Sequence, residues 1–560
     1  MFYIEEKPAL KLPELTSLFI KLPFINKYIE NQIAQQKLYN YNSKTDTYEL
    51  PTTRLFFLVD LLIKYDDIEI TFYKSDIKPI TLTCDSMNFK YKPYDYQKDG
   101  INYGLNHKGW LLLDDQGLGK TLQMIYLAET LYKLGKLDHC FIICGVNNLK
   151  FNWYREILKF SELSCKILGQ KIKKNGDIVI GSVKDRLIDL SSDIKEFFVI
   201  TNIETLQNKD FVKYFKKSKT KFGMIVLDEA HRVKNQSAKA TDTLLKLSAD
   251  RCVALTGTLI MNNPENAYVA LKWTGNLKSC YTDFCSMYNI YGGFNNAQVV
   301  GYKNLDLLQE LIASCSLRRK KEEVLELPPK TYEVEYIEML PKQRELYNEV
   351  LDGVTKDLNL LSKKKKISIM DELVMNMRLR QITAYPGILS TTVTESAKLD
   401  RLEELVEDIV NQGDKVLVFC SFKSTVPEID RRLEKYNPLI CTGDTKDIDI
   451  DKYKELFQND DKYKVLICTW QKMGTGHTLT AANYVIFIDT PWTDADFQQA
   501  SDRAYRIGQL KHTHIITLVC VGTYDERVLE ILNNKEILSS YLIDNQDKGL
   551  TQIKDFDSIN

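Results

Sequence analysis

Residues 110–121, WLLLDDQGLGKT, begin with four apolar residues and continue through two acids and a glycine-bearing turn to a Lys-Thr pair. Residues 122–133 then place apolar side chains at helical spacing. A buried strand, a turn and a helix in this order form the unit that holds phosphate groups in parallel α/β folds. Gly117 and Gly119 let backbone N–H groups close around phosphate oxygens, and the helix N-terminus favours negative charge. We therefore expect an α/β fold with a phosphate site at this turn.

The chemistry expected at this turn follows from its residue types. Gly117, Leu118 and Gly119 would supply the backbone cradle. Lys120 would neutralise the β- and γ-phosphates of a nucleotide, and the Thr121 hydroxyl would ligate Mg²⁺. The strict motif has glycine five residues before Gly119, where this chain has Asp114. The turn alone therefore does not establish the site.

Short apolar runs without alternation recur along the chain, as in strands that are buried on both faces of a parallel sheet. We predict two such sheets, in two lobes, from strands at 110–113, 141–144, 197–201, 224–227 and 252–255, and at 415–420, 439–441, 465–468, 485–489 and 515–520. The predicted units are an accessory α+β domain (1–85), lobe one (86–325), a linker with a helical protrusion (326–395), lobe two (396–525), and a C-terminal helix and tail (526–560). The accessory domain should contain a hairpin around 39–48 and an amphipathic helix within 53–65.

Composition limits the classes of function. The chain has 560 residues and a formal net charge of −1, so a nucleic-acid surface would have to be a local groove. The 12 cysteines have no CxxC or zinc spacing, which indicates buried reduced thiols. No apolar run reaches the roughly 18 residues of a membrane span, and residues 1–11 do not resemble a secretory signal. We expect a cytoplasmic protein, or a nuclear one if its source is eukaryotic, with no membrane partner.

Two further motifs complete the expected site. Residues 226–231, VLDEAH, are an apolar strand ending in acids: Asp228 would hold Mg²⁺ and Glu229 would orient or deprotonate the attacking water. In the second lobe, Arg503 and Arg506 are three residues apart, so on a helix they would project from one face towards a phosphate held by the facing lobe. The alternative for the arginines is a surface pair that bridges to nearby acids.

Taken together, several segments resemble the Swi/Snf family of superfamily-two, helicase-like ATPases. The family's signatures are matched at 94–100, 114–121, 152–156, 228–235, 255–258, 317–320, 327–330 and 502–509. Residues 152–156, which include Trp153, resemble the family's first DNA-contact element. The family's own loop is DExGLGKT, so Asp114 is typical of it. The resemblance to LRR…LPpK at 317–330 and to DRAHRIGQ at 502–509 separates this family from DEAD-box RNA helicases.

The resemblance implies roles for further residues. Gln97 would read the adenine of ATP, while Thr256, Thr258 and Gln499 would couple phosphate release to lobe movement. The contacts with double-stranded or branched DNA implied by motif proximity are Asn148, Lys150, Ser421, Lys423 and Thr469. Residues 301–306 and the short spacing between lobes resemble the compact branch that includes SMARCAL-type annealing helicases. Residues 39–42 and 47–50 resemble that branch's HARP element, the alternative being an unrelated substrate-positioning domain.

The resulting hypothesis is an ATP- and Mg²⁺-dependent translocase on double-stranded DNA, acting as a monomer. It would remodel DNA or displace bound proteins in replication, recombination or repair, alongside proteins of those processes. Two alternatives stay open: a strand-separating DNA or RNA helicase, and a catalytically silent clamp gated by nucleotide. Modest size and abundant Lys, Asn and Tyr suggest a bacterial or phage source.

Overall fold

The computed structural model describes residues 2–8, 16–22, 27–34, 40–51, 55–62, 68–71, 82–145, 149–172, 178–261, 263–292, 298–362, 369–470 and 479–544. Within these residues the chain forms three main sheets and two small hairpin pairs. Asn148, one of the expected DNA contacts, lies outside the described residues. No helix of the described part is both long and apolar enough to cross a membrane.

The N-terminal unit is a five-stranded sheet in the order β3-β4-β2-β1-β5. Its elements are β1 (Phe2–Pro8), β2 (Thr16–Lys21), α1 (Lys27–Ala34), β3 (Asn40–Asn42), β4 (Thr47–Pro51), α2 (Leu55–Leu62) and β5 (Ile68–Thr71). Strands β3 and β4 form the predicted hairpin, and α2 lies within the predicted helix. The core of this unit joins alternate residues of the strands, such as Ile4 and Ile20, to Ile29 and Leu58 of the helices.

Lobe one is built on a seven-stranded parallel sheet in the order β16-β6-β13-β12-β7-β11-β8. Its helices and strands, in chain order, are α3 (Asp95–Asn106), β6 (Gly109–Leu112), α4 (Lys120–Lys133), β7 (Cys140–Cys144), α5 (Leu149–Phe160), β8 (Cys165–Ile167), β9 (Gln170–Ile172), β10 (Ile178–Ile180), α6 (Val183–Leu190), β11 (Phe198–Asn202), α7 (Ile203–Leu206), α8 (Phe211–Lys217), β12 (Met224–Asp228), α9 (Lys239–Leu244), β13 (Arg251–Leu255), α10 (Tyr268–Trp273), α11 (Tyr281–Tyr288), β14 (Asn289–Gly292), β15 (Gln298–Tyr302), α12 (Leu305–Cys315), β16 (Ser316–Leu317) and α13 (Lys321–Val324).

The five strands predicted for lobe one are present, each within one residue at either end. They are apolar because helices cover both faces of the sheet and leave two hydrophobic cores, one on each side. The sequence did not predict β8 or β16, because three and two residues are too short to give an apolar run. All twelve cysteines are free, and all but Cys165 and Cys280 are buried, as predicted.

Lobe two is a six-stranded parallel sheet in the order β17-β22-β21-β18-β20-β19. Its elements are β17 (Lys330–Ile337), α14 (Pro341–Ser362), α15 (Ile369–Ala384), α16 (Ala397–Asn411), β18 (Val416–Cys420), α17 (Val426–Leu433), β19 (Leu439–Cys441), α18 (Asp447–Asn459), β20 (Val465–Thr469), β21 (Tyr484–Phe487), α19 (Asp494–Ser501), β22 (Thr513–Cys520) and α20 (Tyr524–Asp544).

Strand β17 corrects one predicted boundary. Residues 326–395 were expected to lie between the lobes, but β17 pairs with β22 over its whole length and forms an edge of the second sheet. An edge strand is covered on fewer sides, and Tyr332, Val334 and Tyr336 of β17 are exposed. Since β17 alternates apolar and charged residues instead of forming an apolar run, the criterion for buried strands missed it. The other domain boundaries stay predictions.

Helix α20 connects the two lobes. In the first turn of this helix, the Asp525 carboxylate forms a 2.6 Å ion pair with Lys398 of lobe two. In its last turns, Leu538 and Leu542 join the hydrophobic core of lobe one, and the carbonyl of Tyr541 accepts a hydrogen bond from Gln309. The end of this helix therefore packs against lobe one.

Candidate functional site

Three motifs of lobe one meet at the carboxyl edge of its sheet. The loop that carries Lys120 follows β6, Asp228 is the last residue of β12, and Thr256 directly follows β13. These strands are adjacent and parallel, with β13 between β6 and β12, so their ends lie side by side. Ligand sites of open α/β sheets form at this edge.

The turn at 114–121 has the backbone that its glycines permit. Gly117 and Gly119 have φ values of 89° and 74°, and Gly119 is the N-cap of α4. The Lys120 ammonium donates to the carbonyls of Asp114 and Asp115, at 2.6 and 3.2 Å. Burial lowers the pKa of Lys120, and the surrounding acids, Glu229 first among them, oppose that shift. A cation held at the start of a helix, beside exposed N–H groups, suits a phosphate.

Asp114 is fully buried and bound by an arginine from a distant part of the chain. Arg319 donates from Nε and from a terminal nitrogen to the two carboxylate oxygens of Asp114, at 2.9 and 2.5 Å. Gln123 donates to the same carboxylate at 3.0 Å. Asp114 stands where the strict motif has glycine, and it forms a buried, bidentate ion pair with Arg319 that holds the loop.

Asp115 is bound by the neighbouring arginine, through a single hydrogen bond. Arg318 donates to Asp115 at 2.5 Å and also to Asp544, the last residue of α20, at 2.8 Å. The backbone brings the arginines here, because β16 runs parallel to β6 and the Asp115 N–H donates to the carbonyl of Arg319. Sequence reasoning used residues 317–320 only as a family signature. No local pattern in the sequence pointed to this contact, because the arginines lie 203 and 205 residues from their acids.

Asp228 is held by two donors. The indole N–H of Trp153 donates to its Oδ2 at 2.7 Å, and the backbone N–H of Glu229 donates to its Oδ1 at 2.9 Å. Burial, with the charge of Glu229 as the next cause, raises the pKa of Asp228 to about 6. Sequence reasoning quoted Trp153 within a DNA-contact motif and missed its role at this carboxylate.

Glu229 starts a relay towards the segment after β13. It adopts a left-handed backbone conformation, with φ 52°, which fixes its direction at the end of β12. Nδ1 of His231 lies 3.3 Å from a carboxylate oxygen of Glu229 and 3.1 Å from the Thr256 hydroxyl. The Thr256 hydroxyl also accepts from the Thr258 N–H at 3.1 Å. Glu229, the expected general base, is therefore connected to the two threonines expected to couple hydrolysis to movement.

Lobe two supplies Arg503 and Arg506 from a turn, which corrects the predicted helix. Helix α19 ends at Ser501, and residues 502–508 form successive turns that close with Gly508 at φ 100°. A Cβ atom at Gly117 would lie 3.1 Å from Cγ of Arg506, so Arg506 lies against the phosphate loop of the facing lobe. Arg503 is 4% exposed, which excludes the alternative of a surface arginine at this position. Burial lowers the pKa of Arg503 to about 10.

The oxygen donors of this edge fit Mg²⁺, which prefers hard oxygen ligands. Asp228 ends β12 at the sheet edge that carries the phosphate loop, and the partly buried Thr121 follows Lys120 in the first turn of α4. Burial favours the protonated form of Asp228, and a nearby dication would instead stabilise its ionised form. Thr121 and Asp228 would hold the metal here.

The remaining expected residues differ in their contacts and in their exposure. Gln97 and Leu118 are together, since the Gln97 amide donates to the Leu118 carbonyl at 3.2 Å. Gln499 is buried in α19. Of the expected DNA contacts, Lys423 is exposed and Ser421 is half-buried at the end of β18.

Two expected DNA contacts are corrected by their burial. Lys150 is 3% exposed and Thr469 is 6% exposed, too little to meet a DNA phosphate in this structure. Lys150 is buried because it lies on the face of α5 that packs towards the sheet, and Thr469 because it is the last residue of a central strand.

Two parallel-sheet lobes that share one phosphate site define the class of this protein as a two-lobed, RecA-like nucleotide-binding core. The chain belongs to the SNF2-related family. A model of the SNF2-related domain matches residues 35–388, and a model of the helicase conserved C-terminal domain matches residues 397–508.

Relatives fit this assignment. The Bacillus subtilis protein YwqA, whose name describes an ATP-dependent helicase/translocase, is 30% identical over 82% of this chain and 50% of its own length. A Mycoplasma pneumoniae protein named as an ATP-dependent helicase is 27% identical over 91% of this chain and 48% of its own. The chain spans about half the length of these relatives.

A solved SWI2/SNF2 ATPase core of Sulfolobus solfataricus, in complex with dsDNA, is 26% identical to this chain. The match covers 83% of this chain and 96% of that one, with a TM-score of 0.36.

Proposed function

We propose that this protein is a DNA-dependent ATPase that translocates along double-stranded DNA. The observation that carries the proposal is the position of Arg506, from lobe two, against Gly117 in the phosphate loop of lobe one. Arginines that enter from a facing lobe stabilise charge that develops on phosphate in the transition state, and they contribute about 10³–10⁵ in rate. A site completed only when two lobes meet makes hydrolysis depend on conformation.

In the proposed mechanism, Lys120 and the loop N–H groups bind the β- and γ-phosphates, and Gln97 reads the adenine. Glu229 orients and deprotonates the attacking water, while Arg503 and Arg506 stabilise the charge on the transferred phosphoryl group. Thr121 and Asp228 would hold Mg²⁺, which would neutralise phosphate charge when bound. Loss of phosphate then acts through Glu229, His231 and Thr256, with Gln499 as a further coupling residue.

The finer parts of the proposal concern substrate and setting. We propose double-stranded or branched DNA as the partner, with remodelling of DNA or displacement of bound proteins as the outcome, in replication, recombination or repair. The Bacillus and Mycoplasma relatives support a bacterial, cytoplasmic setting. A monomer suffices for this mechanism, because both halves of the site come from one chain.

The test is ATP hydrolysis by the full chain alone, with duplex DNA, with single-stranded DNA and with RNA. We expect duplex DNA to stimulate hydrolysis most, and Lys120→Ala to abolish turnover while the protein remains folded by circular dichroism. Equal rates with and without duplex would overturn the proposal. If the protein displaced a labelled strand from a forked duplex, the conclusion would be a strand-separating helicase. If it bound nucleotide without hydrolysing it, the conclusion would be a nucleotide-gated clamp.

A further inference from the structure

Lys321, the first residue of α13, contacts both halves of the nucleotide site. Its backbone N–H donates to the Asp115 carboxylate in the phosphate loop, at 3.0 Å. Its ammonium donates to the Asp502 carboxylate at 2.5 Å and to the Tyr505 carbonyl at 3.0 Å, both in lobe two. A single residue thus connects the loop of one lobe to the turns of the other.

The ion pair between Lys321 and Asp502 is buried, and burial makes it strong. The side chain of Lys321 is 4% exposed and that of Asp502 is 10% exposed. Attraction between two charges is several times stronger in such a place than at the surface, and removing one partner leaves an uncompensated buried charge. A second ion pair between the lobes, Arg155–Asp451, is 62% and 41% exposed and is therefore a weak one.

The two groups that Lys321 binds flank Arg503. Asp502 is the residue directly before Arg503 and is the C-cap of α19, and Tyr505 directly precedes Arg506. Residues 502–505 each donate a backbone N–H to a carbonyl three or four residues earlier, so these hydrogen bonds fix the turn to the end of α19 within lobe two. What these bonds do not fix is the position of the turn relative to lobe one, and the contacts of Lys321 with Asp502, Tyr505 and Asp115 provide that connection.

We propose that Lys321 is a positioning residue that holds the turn bearing Arg503 and Arg506 in register with the phosphate loop. The inference rests on the proposed ATPase function and extends it. Its Asp115 contact makes the anchor move with the loop, so the arginines keep their alignment to phosphate when the lobes close. Misplacing a catalytic group by about 1 Å can cost on the order of 10²-fold in rate.

The test is a double-mutant cycle in the full chain, with ATPase rates measured on saturating duplex DNA. We expect Lys321→Met and Asp502→Asn each to lower kcat by about 10- to 100-fold, with KM for ATP changing less than about threefold, since neither residue binds the nucleotide. The double variant removes both charges and so relieves the uncompensated one. We expect it to regain thermal stability without regaining kcat.

Two controls separate positioning from folding. Asp451→Asn breaks the exposed ion pair between the lobes and should change kcat less than about twofold. In an Arg503→Ala/Arg506→Ala background, Lys321→Met should lower kcat less than about threefold further, because both residues that it positions are gone. Recovery of kcat together with stability in the Lys321→Met/Asp502→Asn variant, or a full further loss in the background that lacks both arginines, would overturn the inference.

Wild-type protein measured in parallel distinguishes the two proposals. A wild type that duplex DNA does not stimulate would refute the proposed function. A stimulated wild type with an unchanged Lys321→Met variant would refute only the role of Lys321.

Discussion

The indole N–H of Trp153 donates a 2.7 Å hydrogen bond to Oδ2 of Asp228. The donor lies on α5, whose residues 152–156 resemble the family's first DNA-contact motif, and the acceptor ends β12. Trp153 is 1% exposed, so its ring is fixed and its N–H has one direction. The bond is a direct physical link between the helix expected to sense DNA and the carboxylate expected to hold Mg²⁺.

Trp153→Phe should raise the Mg²⁺ concentration that gives half-maximal ATPase rate. Phenylalanine keeps the packing of the ring but removes the donor, and losing such a partner of a metal ligand costs about 10- to 100-fold in metal affinity or activity. A Mg²⁺ titration of the ATPase rate, together with Mg²⁺-dependent binding of a fluorescent ADP analogue, measures the change.

The matched control is Trp273→Phe. Trp273 is also buried in lobe one and donates to a backbone carbonyl, of Leu247, away from the site. Its variant should leave the Mg²⁺ requirement unchanged. An equal shift in both variants would mean that general loosening of lobe one, not the bond to Asp228, sets the requirement.

Asp114→Gly should destabilise the protein, although glycine is what the strict phosphate-loop motif has. The substitution leaves Arg319 without its bidentate partner in a mostly buried position, and breaking a buried ion pair from one side costs about 3–5 kcal/mol. Denaturant unfolding monitored by circular dichroism measures the loss.

The double variant Asp114→Gly/Arg319→Met should recover part of that loss, because no buried charge is then left unpaired. Asp114→Asn, which keeps the acceptor oxygen and removes the charge, should lie between wild type and Asp114→Gly. An Asp114→Gly protein as stable as wild type would show that the ion pair does not hold the loop.

The fold and the acidic half of the site could be predicted from the sequence because their signals are local. The buried strands are unbroken apolar runs; Asp228 and Glu229 directly follow one of them, and Lys120 follows another after the glycine-bearing turn. The sheets of both lobes are parallel, as predicted. The phosphate loop, the acid pair and the following threonines meet at the carboxyl edge of the lobe-one sheet.

What the sequence could not give depends on contacts between distant residues. Arg319 is 205 residues from Asp114, and Lys321 is 184 residues from Tyr505. The turn after Ser501 was predicted as helix because an i, i+3 spacing of arginines suits either structure. Strand β17 was missed because an edge strand has no need of an apolar run.

His231 should make stability depend on pH. Burial lowers the pKa of His231 from its ordinary value of 6.5 to about 3, so the folded protein keeps this ring neutral. The unfolded chain takes up the proton below about pH 6.5, and stability is therefore lost as the pH falls through that range.

Between pH 7 and pH 5 this group should lower the free energy of unfolding by about 2 kcal/mol. His231→Gln, which cannot be protonated, should lack this component, so urea unfolding of the two proteins at pH 7 and pH 5 measures it as a difference. Identical pH dependence in both proteins would contradict the neutral, buried imidazole.

Lys423 should bind a DNA phosphate, and the ion pair of Lys423 with Asp444 should compete with that contact. The two form an ion pair with side chains 58% and 73% exposed, at the first turn after β18. Such a pair is worth little, so a DNA phosphate can take the lysine from the aspartate. Lys423→Gln should weaken duplex binding and reduce the slope of log affinity against log salt by about 0.9, the value for one lost phosphate contact.

Asp444→Asn should have the opposite effect on affinity, because it removes the acid that competes with phosphate for Lys423. The matched control is Lys435→Gln: Lys435 is similarly exposed and is paired with Glu407, also on lobe two. Fluorescence anisotropy with a labelled duplex at several salt concentrations measures all three variants. If Lys435→Gln reduces the slope as much as Lys423→Gln, then the net charge of lobe two, and not a contact at Lys423, governs binding.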